Sequence, residues 1–123
     1  MTRLLTIVAV GLVFLLTQSG HAHHSFAAEF TADDPMIIEG VVTEIWFRNP
    51  HARYYIDVTT DDGAVEHWDT RAGSPSLMTR RGWTKNSIEV GDHVVLYGHR
   101  ASDRSRKLLS IIWVELDDGT RLE

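Results

Sequence analysis

The chain has 123 residues, no cysteine, 12 basic against 17 acidic side chains and a formal net charge of −5. That excludes disulfides, thiolate metal sites and cysteine nucleophiles, so any metal must be held by histidine, carboxylate or backbone. An acidic chain also lacks the broad basic surface by which proteins hold nucleic acid, and no nucleic-acid partner is expected.

Met1-Thr2-Arg3 carries one positive charge and leads into an almost unbroken apolar run, Leu4 to Leu16, which meets Thr17-Gln18-Ser19-Gly20-His21-Ala22. This is the pattern of a secretory signal peptide, and the run falls short of the roughly 20 apolar residues a spanning helix needs. Gly20 at minus three and Ala22 at minus one favour cutting before His23, with cuts after Gly20 or Ala28 as alternatives. The expected division is therefore a signal peptide over 1–22, an extended arm over 23–36 and one small domain over 37–123. Loss of the leader removes Arg3 alone among the charged residues, leaving a net charge of −6. Export without cysteine points to the periplasm, with no membrane span left after cleavage.

Along the mature chain, Asp33-Asp34-Pro35 is a turn-forming group expected to separate the arm from the folded body. "IIEGVVTEIWF" from Ile37 is β-branched and aromatic, with Gly40 marking a bulge or bend, and stops at Asn49-Pro50. "RYYIDVTT" alternates, Tyr54, Ile56 and Val58 on one face and Arg53, Tyr55, Asp57 and Thr59 on the other, and Asp61-Asp62-Gly63 turns it into "AVEHWDT". In "GSPSLMTRRGW", Ser74 before Pro75 is a helix cap and Gly82 a stop, giving about two turns of helix. "VGDHVVLYGHR" and "KLLSIIWVEL" supply the fourth and fifth strands, and Asp117-Asp118-Gly119 begins a closing turn. Trp46, Trp68, Trp83 and Trp113 are expected mostly in the core, with Trp83 packing the helix onto the sheet.

Three strands, a helix and two strands is the element order of the OB-fold, a small five-stranded Greek-key barrel whose helix plugs one end. An open five-stranded sheet with a packed helix is the competing architecture. The stretches "HHSFAAEF", "NPHARYYIDV", "GSPSLMTRRGWT", "VGDHVVLYGHRA" and "LDDGTRL" together resemble the exported bacterial family called domain of unknown function 6152. The resemblance implies a small exported β-domain and no established activity, catalytic residue or cofactor.

Chemistry must then be sought in the histidines. A chain beginning at His23 offers an α-amine and an imidazole that close one chelate, with His24 beside them. A third nitrogen from the body completes an all-nitrogen set suited to Cu(II), which favours tetragonal nitrogen coordination and tops the divalent affinity series. A cut after Gly20 instead creates His21-Ala22-His23, also a Cu(II) or Ni(II) ligand. Extended, the 14-residue arm spans at most about 46 Å, so it reaches any body histidine. His51, in the loop after strand one, is the first choice and His99 the second. His93 lies six residues from His99, about 20 Å along a strand, too far to share a metal with it. A solvated tail and a purely structural His51, its ring bonded to backbone beside Pro50, remain open alternatives, as do His67 and His93 as hydrogen-bonded surface residues.

Elsewhere, Arg100, Arg104, Arg106 and Lys107 crowd one loop, and Arg80-Arg81 lie on the helix. Beside Trp46, Arg48, Tyr54 or Tyr55 such a loop could clasp a glycan or an anionic ligand, while the plainer reading is a solvated loop. Trp46, Arg48, Tyr55 and Arg100 are the candidate contacts for that ligand. Catalysis has little support, since "GSPS" is no nucleophile elbow and the acidic residues are scattered. The expected function is a periplasmic binding or accessory module, with a metal ion, a small ligand or an envelope protein as partner. The alternatives are a metal-free module for a small molecule, glycan or protein, and a structural subunit of an envelope complex.

Overall fold

The computed structural model describes residues 26–123. The expected leader and cleavage point, His23 and His24 lie outside the described residues. A helical turn at 26–29 leads into β1 (Phe30–Trp46), followed by β2 (Arg53–Thr59), β3 (Val65–Arg71), the helix α1 (Pro75–Arg80), β4 (His93–Ala101), β5 (Leu108–Leu116) and a short β6 (Arg121–Leu122).

β1 is long enough to serve two neighbours. Met36 to Val41 pair antiparallel with β4, and Val41 to Trp46 pair antiparallel with β2. The strands run in the order β3-β2-β1-β4-β5-β6, and a parallel pairing of β3 with β5, Asp69 to Leu108 through Arg71 to Ser110, joins the ends of a five-stranded ring. This closure decides against the open sheet and makes the molecule an OB-like barrel. β6, where only a turn was expected, adds a short sixth strand against β5.

The alternation read from the sequence is the alternation of burial. Tyr54, Ile56, Trp68, Val94 and Leu96 face inward at 3% exposure or less, while Tyr55, His67, Val95 and Tyr97 face out. Thr70, buried among them, gives its hydroxyl proton to the Tyr54 carbonyl at 2.7 Å, which removes the cost of an unpaired polar group. α1 closes one end as the cap predicts: Ser74 Oγ accepts from the Leu77 amide, Pro75 opens the helix, and Gly82 leaves it at φ +92°. Met78 and Trp83 then insert beneath Tyr54, whose ring centroid lies 6.1 Å from that of Trp83.

Gly40 has a different role from the expected bulge, because the register of β1 shifts between Val42 and Glu44. A Cβ at Gly40 would meet the Asp57 carbonyl oxygen at 2.2 Å, and one at Gly98 the Ser110 oxygen at 2.2 Å. Both glycines mark places where a neighbouring strand's backbone passes too close for a side chain.

The first strand begins seven residues before the expected Ile37, and the arm from Phe30 onward is part of the sheet. Phe30 pairs with Ala101 and Pro35 with His99, with an irregularity between them. Phe30 is 3% exposed and forms a second apolar cluster with Ala101 and Leu108, separate from the main core. Asp34 holds Arg104 at 2.6 Å, and the Ser102 amide donates to the Glu29 carbonyl at 2.9 Å. Asp33-Asp34-Pro35 thus lies within an irregular strand and does not separate the arm from the body.

Replacing Phe30 by Ala should cost about 3–5 kcal/mol in urea unfolding. The same change at Ile37, which is 59% exposed, should stay within about 0.5 kcal/mol. Equal effects would show that the arm does not seal the barrel wall.

Candidate functional site

A cavity of about 470 Å³ opens where the 26–29 turn, the loop after β1, the end of β3 and the start of β5 meet, walled by Phe26, Glu29, His51, Arg71, Arg81 and Ile111 among others. The loop is held to the end of β3 by two backbone bonds of 2.9 Å, from the Ala52 amide to the Gly73 carbonyl and from the Ala72 amide to the Ala52 carbonyl. His51 stands on this clamp, two residues after Asn49, whose peptide bond to Pro50 is cis. Its Nδ1 lies 3.2 Å from the Ala72 carbonyl oxygen. A carbonyl can only accept, so Nδ1 is the donor here, and in the neutral ring the lone pair lies on Nε2.

In the same lining, Arg71 donates to both carboxylate oxygens of Glu29, at 2.6 and 3.1 Å, and Arg106 adds a longer contact at 3.4 Å. The Arg71 hydrogen bond and charge hold the Glu29 carboxyl below its ordinary range against the opposing effect of burial. The Arg71 guanidinium also lies 5.3 Å from the Phe30 ring centroid.

His99 sits on β4 opposite Pro35 and Ser110, with its Nδ1 buried and unpartnered. The Phe26 ring meets it edge-on at 5.9 Å while packing on Phe30 at 5.0 Å. Phe26 therefore links His99 to the cavity that His51 lines. Among the described residues no three His, Asp or Glu side chains converge to hold a metal. His67 pairs with Asp57 at 2.6 Å, and His93 reaches Glu39 at 3.1 Å and Asp117 at 2.8 Å, as surface residues.

The candidate ligand contacts divide. Trp46, 37% exposed, meets Tyr55 edge to face at 5.5 Å and carries the Arg48 guanidinium 4.2 Å from its ring centre, one cluster on the outer face of β1 and β2. Arg100 lies apart from it on β4, with its Nε buried and unpartnered and its charge acting on Glu66. The basic loop is occupied by its own chain: Arg104 by Asp34, Arg106 by Glu29, and Lys107 by Glu66.

Sequence reasoning missed Phe26, Glu29 and Arg71 as site residues, because nothing in their local pattern announces a long-range pairing of residue 29 with residue 71. Arg81 was legible only as a helix-end charge. Burial pushes the Tyr54 phenol up to about 12, and turn hydrogen bonds lower the carboxyls of Asp62, Asp103 and Asp118. These shifts hold each group in its ordinary charge state, the opposite of what a proton-transfer group needs.

The model of the family of unknown function DUF6152 matches residues 12–110. No curated protein matches. Among solved structures, the mitochondrial single-stranded DNA binding protein Rim1 of S. cerevisiae superposes with a TM-score of 0.52 at 15% identity, over 68% of this chain and 93% of that one. That likeness agrees with the closed OB-like barrel and extends to the fold alone.

The Glu29 pairing has a measurable pH signature. A carboxyl lowered by folding adds stability above its ordinary value of 4.5, and that contribution disappears as pH falls through the folded-state value. Glu29→Gln should cost toward the lower end of about 1.5–3 kcal/mol at pH 7, and the gap from the parent should close in acid. A gap that stays constant in urea titrations from neutral pH down to the acid limb would contradict this account.

Proposed function

Because the chain belongs to the family of unknown function DUF6152, which brings no activity with it, we propose from its own residues that it is an exported periplasmic binding module that captures Cu(II) through the mature N-terminus and His51. The observation that carries the reading is that Phe26, three residues after His23, shares one cavity wall with His51. Three residues extend at most about 11 Å, so the amine and ring of His23, or the ring of His24, need little chain to meet the His51 ring. The hydrogen bond from Nδ1 to the Ala72 carbonyl is the support that metal-binding imidazoles commonly have, fixing the tautomer and leaving Nε2 as the donor. Nitrogen donors without thiolate favour Cu(II) over softer ions. His99 is the weaker body ligand, since its Nδ1 is enclosed by protein.

Nucleic acid is not the proposed occupant, for the chain is acidic and Arg104, Arg106 and Lys107 are spent on its own carboxylates. A second reading rests on the exposed Trp46 beside Tyr55: a metal-free contact for a glycan or other small ligand on the barrel face.

N-terminal sequencing of the exported protein should give His23 as the first residue. In competitive titration of that protein at neutral pH, the double change His23→Ala with His24→Ala should weaken Cu(II) binding by more than about a hundredfold, and His51→Ala by about ten- to a hundredfold with a changed paramagnetic resonance spectrum. Trp46→Ala should change neither. Trimming beyond Ser25, or a His51→Ala variant with unaltered affinity and spectrum, removes the proposal.

A further inference from the structure

His93 stands first in β4, opposite Val41 of β1, and lines two clefts of about 300 and 200 Å³. Two carboxylates from different elements flank its ring. Nδ1 is hydrogen-bonded at 2.8 Å to Asp117, in the turn from β5 to β6, and Nε2 lies 3.1 Å from a carboxylate oxygen of Glu39 on β1.

The other charged groups around the ring are mostly acids. Asp92 and Asp118 line the smaller cleft with Asp117, and Asp57 lines the larger one with Glu39, its own partner being His67 on β3. Glu115, on β5 opposite Val95, is held by Arg121. Among the described residues neither cleft is lined by a lysine or an arginine. Positive charge between Glu39 and Asp117 must therefore come from the His93 ring itself.

An ionised carboxylate offers lone pairs and no proton. A ring protonated on both nitrogens attracts both acids at once, whereas a neutral ring has one N–H to give. With that proton on Nδ1 toward Asp117, the shorter contact, Nε2 turns a bare lone pair toward the Glu39 oxygen and the two repel. Each contact is exposed and small against the stability of the whole barrel. Locally it matters more, because β6 is only two residues long and Asp117 opens the turn that leads into it.

We propose that His93 is a proton-controlled tie across this face. Charged, the ring holds Glu39 of β1 and the turn into β6 together; neutral, it keeps Asp117 and releases Glu39 into the larger cleft. The Glu39 contact thus adds stability on the acid side of the range in which imidazoles titrate, and that contribution is lost as pH rises through the range. No group in the tie belongs to the copper site or to the Trp46 face.

Double-mutant cycles in urea unfolding of the mature protein, pairing His93→Ala with Glu39→Gln and with Asp117→Asn, read the two contacts separately. At about pH 5.5 the Glu39 cycle should show a coupling of about two- to fivefold in the unfolding constant, and at about pH 8.5 none. The Asp117 cycle should show a coupling at both. Long-range nitrogen–proton spectra at the higher pH should find the remaining ring proton on Nδ1. All three side chains are exposed, at 40% for His93, 64% for Glu39 and 75% for Asp117, so each variant keeps the barrel. The proposal is overturned if the Glu39 coupling is equal at both pH values or absent at the lower one, if the Asp117 coupling is the one that vanishes, or if the neutral ring carries its proton on Nε2.

Discussion

The parallel seam between β3 and β5 is the contact on which the rest of the molecule depends. Only three residue pairs make it, Asp69 with Leu108, Thr70 with Leu109 and Arg71 with Ser110, helped by the Asp69 amide donating to the Lys107 carbonyl at 2.9 Å. Without it the barrel would be an open sheet with two unpaired edges. Short parallel pairings are weak in themselves, so the seam needs cover, and the residues before β1 provide it. Phe30 seats on Leu108 and Ala101, and Glu29 takes both terminal nitrogens of Arg71, the last residue of the seam. The cavity is the space left where this cover meets the loop after β1, so closure and site share one set of residues.

Ion pairs at this place differ from those elsewhere on the surface. Exposed pairs such as Arg121 with Glu115 or Arg104 with Asp34 contribute about 0–1 kcal/mol each. Arg71 is 16% exposed at its side chain, bonds Glu29 through two nitrogens and lies over the Phe30 ring. Its terminal nitrogens and its guanidinium face are engaged while its Nε is buried without a partner, and a lysine could not reproduce the fork. The same pairing neutralises Glu29 in the cavity wall.

Legibility followed the range of the interactions. Strand alternation in β2 and β4, the Ser74 cap and the Gly82 stop are encoded within a few residues of where they act, and each was readable. The inward Trp68 and outward His67 follow from period two alone. The arm was misread because its contact with the body passes through Phe30, while Asp33, Asp34 and Pro35 carry the local look of a turn and pair irregularly. Glu29 and Arg71, 42 positions apart, have no local sign at all. Trp46, Arg48 and Tyr55 were picked for their chemistry and do meet, since register brings Trp46 opposite Arg53 and Tyr55 opposite Glu44. Arg100 was grouped with them by charge alone, and its strand carries it elsewhere.

The docked arm changes the energetics of any ligand that engages the N-terminus. Fixing a residue's backbone costs about 1–2 kcal/mol, so an arm free over residues 23–36 would ask a ligand to order fourteen residues, an expense of about 14–28 kcal/mol that few metal sites could bear. Phe26 already packs on Phe30 and His99, so in the proposed chain beginning at His23 a ligand would have three residues to fix, about 3–6 kcal/mol. The folding of the barrel has met most of the ordering cost in advance. Linkage then runs both ways: a ligand held at the terminus would tighten the cover over the β3–β5 seam, and a change that loosens Phe30 or Glu29 would weaken the ligand without touching a donor atom.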